Sequence, residues 1–139
     1  MPSEVTPLAE AIIEQITDAV IYAERSGHIA RWNRGAAATF GFSADEALGQ
    51  HLDLIIPEHL RAAHWRGWDA AMAKRTLRLA GRPTLTRGLH KSGARLYVEM
   101  SFSLVLDAAG DVLGSVAVAR DVSARVAQEQ AARAAPTKT

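Results

Sequence analysis

From Ala94 to Leu104 the chain alternates without a break, with Leu96, Val98, Met100, Phe102 and Leu104 on one side and Arg95, Tyr97, Glu99, Ser101 and Ser103 on the other. Alternation of that length predicts a strand whose two faces meet different surroundings, one apolar and one polar. A long strand of this kind needs partners, and the flanking sequence supplies them. Thr84 to Leu89 precedes it across the turn-forming group His90-Lys91-Ser92-Gly93, and the apolar run Val112 to Ala119 follows it across Asp107-Ala108-Ala109-Gly110-Asp111. Further upstream, Ala19 to Ala23 and Ile29 to Trp32 flank Glu24-Arg25-Ser26-Gly27-His28, a polar interval with the glycine that a hairpin loop favours.

Between the second and third of these five strands the periodicity turns helical. Asn33 is placed to cap a short helix over Arg34 to Phe40 that ends near Gly41. Ser43 and Glu46 have capping-box spacing for a second short helix running to Leu48 and stopping at Gly49. Pro57 opens a longer helix in which Leu60, His64, Trp68, Ala71 and Met72 recur at helical intervals. Five strands with helices inserted between strands two and three is an α+β arrangement.

The two ends differ from the middle. Leu8, Ile12, Ile13 and Ile16 have helical spacing, so residues 1–17 form an amphipathic N-terminal cap helix, ahead of a domain over residues 18–122. Residues 123–139 are a helical linker and frayed tail: alanine is mixed there with Arg125, Gln128, Glu129, Gln130 and Arg133, and large apolar side chains are too few to bury a core. Such a helix gains stability by pairing with a second copy or by continuing into a neighbouring domain.

With 139 residues, 48% of them hydrophobic and 22% charged, the chain suits one compact domain. A formal net charge of +1 gives no overall drive toward nucleic acid or an anionic membrane, and the basic strip Arg78, Arg82 and Arg87 reads as a solvated loop. The absence of cysteine excludes disulfides, zinc-thiolate sites, thiol nucleophiles, thiolate ligation of haem and cysteinyl chemistry with a flavin. The opening residues carry no signal-peptide pattern, and the apolar runs are far shorter than the roughly 20 residues that span a bilayer. The expectation is a soluble, cytoplasmic protein. It is not expected to be an enzyme, since a Gly-rich phosphate loop, a nucleophile elbow, a metalloprotease helix and a paired-carboxylate site are all missing.

Of the five histidines, only His64 shares a helical face with apolar residues. It is either a hydrogen-bonded structural residue or a ligand through one ring nitrogen. His28 and His90 fall in turns and His51 and His59 in or beside the connection ahead of the long helix, and all four read as surface residues. His59 and His64, five apart, do not share a face well, which argues against a two-histidine metal site.

As a set, Asp18-Ala19-Val20, Gly27-His28-Ile29, Trp32-Asn33, Phe40-Gly41-Phe42, Glu46-Ala47-Leu48-Gly49, Lys91-Ser92-Gly93 and Arg120-Asp121-Val122-Ser123 resemble the PAS domains. The similarity covers approximately Leu8 to Arg125. It implies a five-stranded antiparallel sheet with helices over one face, a pocket for a small molecule or cofactor between them, and a terminal helix that relays signals.

Within that family the long helix is most similar to that of the haem-binding oxygen sensors of rhizobial histidine kinases, which share the spacing of Pro57-Glu58, Arg61 and His64. That likeness implies haem b (iron protoporphyrin IX) with His64 as the proximal iron ligand and Arg78 near a propionate. Those sensors carry an arginine that reaches the gas ligand, and here that position is Thr84; Arg82 or Arg87 would be a substitute donor or would face solvent. Met100 and Phe102 take the places of residues lining the ligand side, with Met100 either a sixth iron ligand or a core methionine. Trp68, one turn beyond His64, packs against a porphyrin edge or in an ordinary core.

Three classes of function follow. The leading one is a haem-binding sensor of a diatomic gas or of redox state, acting as a homodimer on a downstream signalling effector. The second is a PAS module that binds an apolar metabolite, or only pairs subunits. The third, an enzyme, has the least support.

Overall fold

The computed structural model describes residues 7–76 and 82–134. Helix α1 spans Leu8–Gln15, β1 Ala19–Glu24, β2 Ile29–Trp32, α2 Arg34–Phe40 and α3 Ala44–Ala47. A 3-10 turn over Leu52–Ile55 leads into α4, Glu58–Lys74, and then come β3 Thr84–Leu89, β4 Arg95–Leu106, β5 Val112–Asp121 and α5 Ser123–Ala134. The strands form one five-stranded sheet in the order β2-β1-β5-β4-β3, with every neighbouring pair antiparallel. The α+β arrangement read from the sequence is the one observed.

Local chemistry explains the short elements. The side chain of Asn33 accepts from Ala36 N–H at 2.9 Å and so starts α2, and Gly41, at φ 82°, ends it in a left-handed conformation that few other residues adopt cheaply. Ser43 and Glu46 form the full capping box expected of them, at 3.1 and 3.0 Å. Helix α4 begins at Pro57 without a side-chain cap, and Arg75 at φ 58° stops it.

Alternation along β4 sorts the core. Val98 and Met100 are buried and Leu96 and Phe102 pack against the same cluster, joined by Ile21 and Ala23 of β1 and Ala117 and Ala119 of β5. Phe40, fully buried, comes so close to β3 that a Cβ on Gly88 would sit 2.8 Å from its ring, which is why a glycine stands in that strand. Helices α2 to α4 and the 3-10 turn cover this face.

On the opposite face, α5 is anchored at its start: Asp121 accepts from Ser123 N–H, Tyr97 N–H donates to the Ser123 hydroxyl at 3.0 Å, and Val122 and Val126 are buried. At the other end of the chain, Leu8, Ile12 and Ile16 of the α1 segment stay exposed among the described residues. This helix therefore does not close its apolar stripe over its own sheet. No described helix is long and apolar enough to cross a membrane.

Candidate functional site

The sheet and its helical cover do not meet everywhere. Between them lies a cavity of about 550 Å³, within the range of small-molecule sites. Residue size explains it. Strand β5 turns Ser115 and Ala117 inward, where they stand beside Ala23 and Ile21 of β1 and Leu104 and Phe102 of β4. The middle of the sheet is thus floored by small side chains, and the larger valines at 116 and 118 point the other way. Leu52, Ile55 and Ile56 of the 3-10 segment and Leu60, Ala63, His64 and Trp68 of α4 form the roof.

Five of the six residues singled out from the sequence, His64, Trp68, Thr84, Met100 and Phe102, line this one cavity. The sixth, Arg78, lies outside the described residues. Met100 is buried and belongs at the same time to the hydrophobic core. Thr84 points its hydroxyl toward the carbonyl of Arg82 at 3.4 Å, a weak contact.

Apart from His64, the only charged or titratable residue bordering the cavity among the described residues is Arg87. Its guanidinium is turned away, lying 5.4 Å from the ring centroid of Tyr97, its cross-strand partner. Thr86 and Gly88 on either side take the inward positions. Arg82 is exposed. Of the two readings for these arginines, the structure gives the solvent-facing one.

His64 is held in an aromatic setting. The Trp65 ring meets it at 4.4 Å and 89°, and the Trp68 ring lies at 6.0 Å and 32°. Its Nδ1 is buried and has no hydrogen-bond partner among the described residues. Burial pushes the imidazole pKa below its ordinary value, the Asp53 carboxylate opposes this and His51 adds to it. The ring is therefore neutral near pH 7, the form that ligates metals. Since Nδ1 is sealed off, Nε2 is the nitrogen left for a ligand.

Two tryptophans lock α4 in place. The Trp68 indole N–H donates to the Arg25 carbonyl at 3.0 Å, and the Trp65 indole N–H donates to Asp53 Oδ1 at 2.8 Å. His51 is a correction to the sequence reading. It is half-buried, lies tilted at 43° with its ring centroid 4.5 Å from that of Trp65, and contacts Asp53 through Nδ1 at 3.3 Å. His90 is half-buried too, beneath Gly41, whereas His28 and His59 are exposed as expected. Among the described residues no three His, Asp or Glu side chains form a group that could hold a metal ion.

A family model described as the PAS fold matches residues 13–127. The chain belongs to the PAS family. Solved structures agree on the fold. This PAS domain is similar to the PAS domain of a Colwellia psychrerythraea protein (TM-score 0.73, 20% identity, 84% of this chain and 96% of that one). It is also similar to the PAS domain of BvgS from Bordetella pertussis (TM-score 0.66, 16% identity, 90% and 91% covered). A sensory box histidine kinase/response regulator from Burkholderia thailandensis gives a TM-score of 0.63 at 16% identity, with 91% and 93% covered. No curated protein matches the chain.

Proposed function

We propose that this PAS domain is a haem-binding sensor, with His64 as the protein ligand of the iron. The observation that carries the reading is the position of His64: a neutral imidazole on the wall of an apolar cavity of about 550 Å³. The residues present fit the group. His64 would ligate through Nε2, Trp68 would flank the macrocycle, and Met100, Phe102, Thr84 and Thr86 would face it from the sheet. Bound haem would supply an iron able to bind a diatomic gas and to pass through a one-electron redox couple.

What this chain contributes is exclusion of water, a fixed imidazole and the character of the sheet wall. That wall offers threonine hydroxyls, an aromatic ring and a thioether, while the Arg87 guanidinium lies over Tyr97. A ligand that depends on a cationic donor gains nothing there. Carbon monoxide, nitric oxide or the redox state of the iron suit this wall better than dioxygen does. The readout runs along β5, which floors the cavity at Ser115 and Ala117 and passes directly into α5 through Asp121 and Ser123. A change in the cavity that tilts β5 reaches α5, and through it a downstream effector or a second copy.

The test is reconstitution of the purified protein with haem, comparing wild type with His64→Ala by absorption. A stoichiometric Soret band that depends on His64 supports the reading. Without such a band the cavity belongs to an apolar small molecule, a use its aliphatic walls also permit.

A further inference from the structure

A histidine that binds a metal is ordinarily oriented by a hydrogen bond from its second ring nitrogen. In this chain Nδ1 of His64 is buried without a partner among the described residues, so packing against neighbouring rings has to do that work. We infer that Asp53 is a positioning residue for His64, acting through Trp65. The inference rests on the proposal that His64 is a ligand.

The geometry forms a short chain of contacts. Asp53 Oδ1 accepts from the Trp65 indole N–H at 2.8 Å, and the Trp65 ring stands perpendicular to the His64 imidazole at 4.4 Å. Trp65 is flanked on three sides by groups that make no hydrogen bond to it. His51 packs against it at a tilt with centroids 4.5 Å apart, Trp68 meets it edge-on at 5.4 Å, and a Cβ on Gly27 would lie 2.7 Å from its Cη2. The indole N–H is the single polar atom on that ring, so one acceptor fixes its angle.

Asp53 is itself held. Arg61 Nε lies 3.9 Å from Oδ1, and the same guanidinium bonds the carbonyls of Ile56 at 2.9 Å and Asp53 at 3.1 Å. Those two bonds use backbone oxygens. Removing the Asp53 carboxylate therefore leaves the end of the 3-10 turn clamped and acts on Trp65 and on His51, whose Nδ1 lies 3.3 Å from Oδ2 and whose ring packs on Trp65 in turn. Arg61, picked out in the sequence for its spacing to His64, here serves the residue that holds the wall beside that histidine.

The experiment compares Asp53→Ala and Asp53→Asn with wild type by NMR of the isotopically labelled, haem-free protein, using the Trp65 indole N–H and the His64 ring resonances. Asp53→Ala is expected to shift the indole proton upfield as its hydrogen bond is lost and to displace both His64 ring signals. Asp53→Asn keeps an amide oxygen at the same place and should return most of both shifts. His64 signals unmoved by Asp53→Ala would overturn the inference. Should Asp53→Ala fail to fold, Trp65→Phe decides: it keeps an aromatic wall without the N–H, and at about pH 8, where His64 is neutral with or without the Asp53 charge, His64 signals matching those of a further Trp65→Phe/Asp53→Asn variant are expected. A difference between those two would show Asp53 acting by another route and would also overturn it. With haem bound, the iron–imidazole stretching band should shift in Asp53→Ala and recover in Asp53→Asn. If wild type takes up no haem, the haem reading fails by itself, and the haem-free comparison still decides the role of Asp53.

Discussion

Asn33 Oδ1 accepts from the backbone N–H of Val20 at 2.8 Å, tying the residue after β2 to the strand beside it. The same oxygen caps α2, and Nδ2 donates to the carbonyls of Ile13, Ile16 and Asp18 at 2.8, 3.0 and 3.1 Å. One buried amide thus joins the end of α1, the start of β1 and the start of α2, with Asn33 only 2% exposed. It is one of two buried polar residues among those described.

Asn33→Ala should therefore destabilise the domain by about 2–4 kcal/mol, combining a lost N-cap with a buried N–H left unpaired. Urea denaturation measures this. Hydrogen exchange in α1 should rise before the sheet opens, because the three carbonyls that the amide secures lie at or just beyond its C-terminal end. A loss below about 0.5 kcal/mol, the low end of an N-cap alone, would contradict the role assigned to this residue.

The cavity exists because β5 puts small residues inward, so Ala117→Leu should close it. Haem or any other cavity ligand should no longer bind. Stability should change by no more than about 1 kcal/mol, since overpacking of a filled core costs about 1–3 kcal/mol and here the added carbons enter open space. Equilibrium binding and urea denaturation of the same variant check both halves. Undiminished binding would place the ligand elsewhere.

Protonation of His64 gives a pH dependence of known sign. Its folded-state pKa lies below the ordinary value, so the unfolded chain takes up this proton at higher pH than the folded one. The corresponding stability is fully present above about 6.5, the ordinary histidine value, and is lost as pH falls through the folded value. Denaturation midpoints at pH 7.5 and 5.5 should fall less for His64→Gln than for wild type. An equal fall in the two proteins would show that His64 titrates normally.

How much of this was legible depends on what each sequence signal reports. Alternation in Leu96 to Leu104, the cap residues Asn33 and Ser43, and the glycine-bearing turns report local geometry, and they placed the strands and short helices to within a residue or two. The cavity was less visible. Val112 to Ala119 reads as an apolar strand, and only the separation of small residues (Ser115, Ala117, Ala119) from large ones (Val116, Val118) distinguishes a hollow face from a packed one.

Other features depended on distant contacts. His51 follows a glycine and a glutamine and precedes a turn, so it reads as surface; what half-buries it is Trp65, brought from α4. The direction of Arg87 hinges on the register of β3 against β4, where it faces Tyr97 and not the cavity. No periodicity within one short strand fixes that register.

Whether His64 holds haem is decided by the absorption spectrum of the purified protein before and after haem addition, with dithionite and then carbon monoxide, for wild type and His64→Ala. A haem sensor ligated by His64 gives a saturable one-to-one Soret band in wild type that shifts with carbon monoxide, and its loss or marked alteration in a folded His64→Ala variant. A spectrum without a saturable band, or one indifferent to His64, would contradict it.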